Sequence, residues 1–217
     1  MLRDLVTFEW RYHTRQAAFF AAAALFLVMG YALAVLGFGV DNVPANSPYL
    51  VMESFGFLSL FALFAAAIFA ANAVLRDDDS RMRDIVDSTP VPRLQFVFVR
   101  FTGALLATLT AASISIIGAI VALYSPWIDP ARVAPFDLRP YLWAFATITI
   151  PNILFTVALI FAVAMLTRNA LATYAASVVV YVLYFVCSAL TNSPVMAQST
   201  AAGISGPLPA LRICSGR

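Results

Sequence analysis

The chain contains no lysine, a single histidine at His13, and only 11% charged residues. Without lysine there is no Walker A loop, whose Lys holds the β- and γ-phosphates, and no Schiff-base chemistry. One histidine leaves a His-Glu-x-x-His zinc site unfilled and supports neither a metal centre nor a Ser-His-Asp triad. Cysteine is equally scarce: Cys187 and Cys214 have no spacing that suggests a disulfide framework or a metal cluster. No ATPase or protease activity of its own is expected, and no cofactor or metal. A net charge of +2 gives no support to nucleic-acid binding.

What the chain has in abundance is apolar sequence. Hydrophobic residues make up 62% of its 217 residues, and the mean hydropathy is +0.89. A water-soluble domain is about one quarter charged and has no core large enough to bury that much. Five apolar stretches, at 17–39, 54–75, 101–124, 141–166 and 170–190, each match the roughly 20 helical residues that cross a bilayer core of about 30 Å. The expected fold is therefore all-α, a polytopic transmembrane helix bundle of five spans. The first stretch is too long for a signal-peptide core of about 7–15 residues and should remain as an anchor.

Arginine placement sets the orientation. Arg3, Arg11 and Arg15 precede the first span, Arg76, Arg81, Arg83, Arg93 and Arg100 separate the second from the third, and Arg168 separates the fourth from the fifth. The opposite side carries only Arg132 and Arg139, which predicts a cytosolic N-terminus. Residues 1–16 mix Leu5, Phe8, Trp10 and Tyr12 with Arg11 and Arg15, a pattern that predicts a short interfacial helix with aromatic and basic anchors at headgroup level. An ordinary cytosolic flank, its arginines serving topology alone, fits the same residues.

Asn72, Pro151 and Asn152 interrupt otherwise apolar spans. An asparagine in a bundle either bonds a neighbouring helix or lines a translocation path. Pro151 is expected to kink the fourth span near its middle, because its ring removes a donor and clashes with the preceding turn.

The 76–100 loop concentrates five arginines and five aspartates. Asp77, Asp78 and Asp79 favour a helix N-terminus there, with Asp79 or Ser80 as cap. Met82, Ile85 and Val86 then share one apolar face, with Arg81, Arg83 and Asp84 beside it, and Pro90 stops the helix by Thr89. Two turns are too short to stand alone, so headgroups or a groove on a cytosolic partner must cover that face.

Several segments together resemble ABC-2 type transporter permeases. They are Phe8-Glu9-Trp10-Arg11-Tyr12, Asn46-Ser47-Pro48, Asn72-Ala73-Val74-Leu75-Arg76-Asp77, Arg83-Asp84-Ile85-Val86-Asp87-Ser88-Thr89-Pro90-Val91 and Arg100-Phe101. More narrowly, the chain is similar to the N-terminal membrane part of large bacterial permeases, some of which continue into a metallo-aminopeptidase domain. The resemblance covers about residues 8–196 and implies a location in the bacterial cytoplasmic membrane. It implies a coupling helix, formed by Arg81, Met82, Arg83, Asp84, Ile85, Val86, Thr89 and Pro90, that docks on a separate ABC ATPase subunit. It also implies a second permease half, identical or not. Such halves have six spans. Here the residues after 190 turn rich in Ala, Gly, Ser and Pro, so the 191–217 tail is expected to be a truncation or frameshift product. A non-transport anchoring or regulatory module, or a fragment without function, would carry the same features.

Overall fold

Ser47 and Pro48 start the longest helix of the chain, and they do so by the ordinary chemistry of a helix beginning. The Ser47 hydroxyl accepts the Leu50 N–H at 3.3 Å, its carbonyl takes the Val51 N–H at 3.0 Å, and Pro48 fills the first helical position, where no N–H is needed. The computed structural model describes residues 2–36, 44–79, 93–128 and 132–191. In chain order the helices are α1 (Leu2–Thr14), α2 (Ala17–Leu36), α3 (Pro48–Asp79), α4 (Arg93–Leu123), α5 (Arg139–Ala144), a π-helical turn (Phe145–Thr149), α6 (Ile150–Thr167) and α7 (Ala170–Thr191). Among the described residues, five helical segments are long and apolar enough to cross a membrane: Ala17–Leu36, Pro48–Arg76, Leu94–Leu123, Arg139–Thr167 and Ala170–Cys187. The protein is an all-α polytopic membrane protein.

Two compact units divide the chain, Met1–Ser177 and Val178–Arg217. In the first, α3 is central, with 67% of its apolar window buried against 17% for α2. It packs on α6 and α4, while α2 lies chiefly along α4. Small residues make this possible: Ala62, Ala66, Ala70 and Ala73 on α3 and Ala104, Ala107, Ala111 and Ala112 on α4 are all buried. Without a hydrophobic drive between helices in lipid, close backbone approach and dispersion hold them together. The buried hydroxyls Thr108 and Ser115 bond back to Ala104 O at 2.8 Å and Ala112 O at 2.6 Å, so they leave no unmet donor in the interface. In the second unit the described residues complete α7, where the rings of Tyr181 and Phe185 meet at a tilt of 53°, 5.1 Å between centroids.

The span boundaries differ from expectation in informative ways. α3 starts at Pro48 rather than residue 54 and runs on to Asp79, and α4 starts at Arg93 rather than residue 101. Asp77, Asp78 and Asp79, expected to open a coupling helix, instead complete the last turn of α3. The helix already propagating through the span adds residues at little cost, whereas a new helix must be nucleated.

Pro151 was expected to kink its span near the middle. Just ahead of it lies the π-helical turn, in which Ile150 N–H bonds Phe145 O. Pro151 then falls in the first turn of α6, where its missing donor does least harm. α6 ends on Arg168 in the left-handed conformation, φ 47° and ψ 35°, with its N–H on Ala164 O.

At the end of the bundle carrying Pro48, two connecting segments are clasped together. Asn46 Nδ2 donates to Ala134 O at 2.8 Å, and Asn46 Oδ1 accepts the Ala134 N–H at 2.9 Å. Ala45 N–H donates to Arg132 O at 2.8 Å. Below the clasp, Tyr141 meets Phe136 and Phe55 at 6.3 and 6.5 Å. Replacing Asn46 by alanine should cost about 1–2 kcal/mol, because the half-buried N–H and carbonyl of Ala134 lose their partner together. Thermal unfolding in detergent will show a lowered Tm if the clasp matters, and an unchanged Tm if it does not.

Candidate functional site

Polar and charged groups gather where α1 meets the ends of α3 and α4. α1 carries Glu9 and His13 four residues apart, hence on one face, and that face is turned inward: Glu9 is 5% exposed and His13 0%. Phe8, Trp10 and Tyr12 take the outer directions, exposed at 60%, 36% and 36%. The helix expected at the interface is present, but its inward face is the ionisable one.

The Glu9 carboxylate receives a two-pronged contact from Arg76. Nη2 donates to Oε1 at 2.7 Å and Nη1 to Oε2 at 3.2 Å, the geometry that makes arginine–carboxylate pairs strong. The same guanidinium lies over the Tyr12 ring, 4.3 Å from its centroid. One turn back on α3, Asn72 Nδ2 donates to Gln16 Oε1 at 3.2 Å. On α4, buried Arg100 donates to Ala73 O and stacks on Phe96. Gly103 leaves room for Glu9: a Cβ there would stand 2.7 Å from Glu9 Cβ. Trp10 Nε1 reaches Thr110 Oγ1 at 3.4 Å. α1 is thus fastened to both helices that flank the 80–92 segment.

His13 lies inside this junction between two aromatic rings, Tyr12 and Phe69, each 5.8 Å away. Neither ring nitrogen has a hydrogen-bond partner. Burial pushes its pKa down from 6.5 to about 4; the Glu9 charge opposes that shift, and Arg76 and Arg100 add to it.

No protein-family model matches the chain. No curated protein matches it either.

Of the residues singled out from sequence, Asn72 belongs to this junction, bonded to Gln16. Asn152 does not. Its Nδ2 donates to Ser59 Oγ at 2.5 Å between α6 and α3, and Ser59 passes the bond on to Gly56 O at 2.6 Å. Asn152 therefore bonds a neighbouring helix, the commoner use of a polar residue in a bundle, whereas Asn72 bonds the link between α1 and α2. Arg81, Met82, Arg83, Asp84, Ile85, Val86, Thr89 and Pro90 lie outside the described residues. Among the described residues, no three His, Cys, Asp or Glu side chains come together to hold a metal.

Glu9, Arg76, Arg100 and Gly103 join the junction without having been expected there from sequence. The Glu9–His13 spacing was a usable signal, since it puts two ionisable residues one turn apart on one face, with Phe8, Trp10 and Tyr12 on the others.

Proposed function

We propose that this chain is the permease half of an ABC-2 type exporter, taking mechanical work from a separate ATPase subunit at the 80–92 segment. The observation that carries this reading is the construction on either side of that segment. α3 and α4 have 32 and 31 residues, about 46–48 Å of helix, against a bilayer core of about 30 Å. The surplus carries Arg76 and Arg100, and α1 grips both helices there. A push on the 80–92 segment is thereby delivered to two long, close-packed helices together. The resemblance of Arg83-Asp84-Ile85-Val86-Asp87-Ser88-Thr89-Pro90 to the family's coupling helix supplies the partner.

In this reading the N-terminus is cytosolic and the bilayer is the bacterial cytoplasmic membrane, consistent with nine arginines on one side and two on the other. ATP binding closes the ATPase dimer, the docked helix moves, and two permease halves, identical or different, change their packing. Such a shift needs contacts that differ between the two states.

Ile85→Asp tests the docking face. A charge there must be desolvated to enter a groove, which should weaken ATPase association by about tenfold or more, with membrane insertion unchanged. Co-purification and ATP turnover of the complex are the readouts. Unaltered affinity and hydrolysis would reject the coupling assignment and favour an anchoring module.

A further inference from the structure

His13 is the only histidine of the chain, and its imidazole is wholly buried with both nitrogens unpartnered. The titratable and charged groups facing it are Glu9 and Tyr12 from α1, Arg76 from α3 and Arg100 from α4. Both Glu9 oxygens are already engaged by Arg76. A proton on His13 would create a second ring N–H with nothing to receive either, and would set a cation near the Arg76 and Arg100 guanidinium groups.

The cheapest relief is movement of α1. Its link to α2 is a single turn, with Arg15 N–H on Tyr12 O at 3.3 Å and Gln16 N–H on His13 O at 3.2 Å. Its exposed aromatic side, Phe8 and Trp10, is ready for a bilayer interface. We propose that α1 is an acid-released arm, docked on α3 and α4 while His13 is neutral and released when His13 takes a proton. The proposal rests on the α1 junction alone and does not depend on the exporter reading.

The sign follows from linkage. The docked state holds the pKa at about 4, and the released state has the ordinary value near 6.5. Docking is at full strength above pH 6.5, weakens about tenfold per pH unit as pH falls from about 6.5 towards 4, and levels off below. Across that window the docked-to-released ratio should fall on the order of 10²-fold.

The test uses the untagged full chain in zwitterionic nanodiscs, labelled with 13C,15N-histidine so that one imidazole signal reports on His13. Trp127→Phe and Trp143→Phe leave Trp10 as the only indole, since the chain has three tryptophans, and brominated lipid then reports release through quenching of Trp10. The proposal expects His13 to titrate below pH 6, Trp10 quenching to change in step, and His13→Phe to hold the quenching flat from pH 7.5 to 4.5. Three results would each overturn it. His13 titrates at 6.5 or above; His13 protonates while Trp10 stays unchanged; or His13→Phe responds to acid as the parent does. If His13→Phe fails to insert, His13→Leu replaces it, and the His13 titration of the parent chain decides independently.

Discussion

Gly30→Ala will separate α2 from α4 and leave a protein that unfolds far below the parent temperature. A Cβ on Gly30 would stand 2.4 Å from Ser115 O and 3.0 Å from Ser115 Cα. Those are backbone atoms of a helix, so no side chain can rotate away. Gly118 makes the reciprocal approach, where a Cβ would meet Leu27 O at 2.2 Å. The two helices therefore lock backbone to backbone at two neighbouring points, and relieving either clash means sliding the helices apart along their shared length. Overpacking a well-filled interior typically costs 1–3 kcal/mol; with backbone on both sides, the loss should reach about 3 kcal/mol or more. Gly56→Ala is the matched control. Nothing lies within 4 Å of a Cβ there, so alanine should be neutral or stabilise the helix by about 0.5–1 kcal/mol. Equal Tm values in detergent for Gly30→Ala and Gly56→Ala would refute the close crossing.

Glu9→Ala should be the most damaging change in α1. It removes the carboxylate from beside Arg76, whose side chain is only 21% exposed. Removing one partner of a buried pair costs about 3–5 kcal/mol; the partial exposure of Arg76 argues for the lower end. Replacing both partners with apolar residues of similar size, Glu9→Leu with Arg76→Met, should recover much of the loss, because no charge is then stranded. Trypsin gives a direct readout. Arg11 and Arg15 are exposed, and cleavage there follows the population of undocked α1, so a loss of about 3 kcal/mol raises its rate by roughly 10²-fold. A Glu9→Ala protein that is cut no faster than the parent would show that the pair does not hold α1.

The five spans were legible because lipid asks one question of a sequence, whether about 20 residues avoid charge. Hydropathy alone, however, placed the start of α3 six residues late. The decisive signal there was Ser47-Pro48, a capping pair that lies outside the apolar run. α1 was legible as a helix but not in the direction it faces. Its aromatic residues suggested one outer side, yet the inward partner of Glu9 is Arg76, 67 residues away in sequence, and that of His13 is Phe69. Gly30 and Gly118 look like ordinary helix glycines. Their importance comes from the level at which two separate helices cross, which no local pattern encodes. Asn72 and Asn152 were recognised as exceptions, but their partners Gln16 and Ser59 depend on the same tertiary arrangement.

The π-helical turn at Phe145–Thr149 amounts to one residue more than a regular helix needs, and its imprint can be followed along the whole span. Tyr141 and Ala144 face the interior before the turn, Thr149 does so at its last residue, and Ile153, Val157, Ile160 and Ala164 do so after it. Continued without the extra residue, the first half would bring residues 148, 152 and 155 inward and carry Phe155, now 68% exposed, into the packed side against α3. The turn thus works as a frame correction written in space rather than in codons. It lets two half-helices with incompatible phases share one membrane crossing, and it confines the mismatch to a single turn.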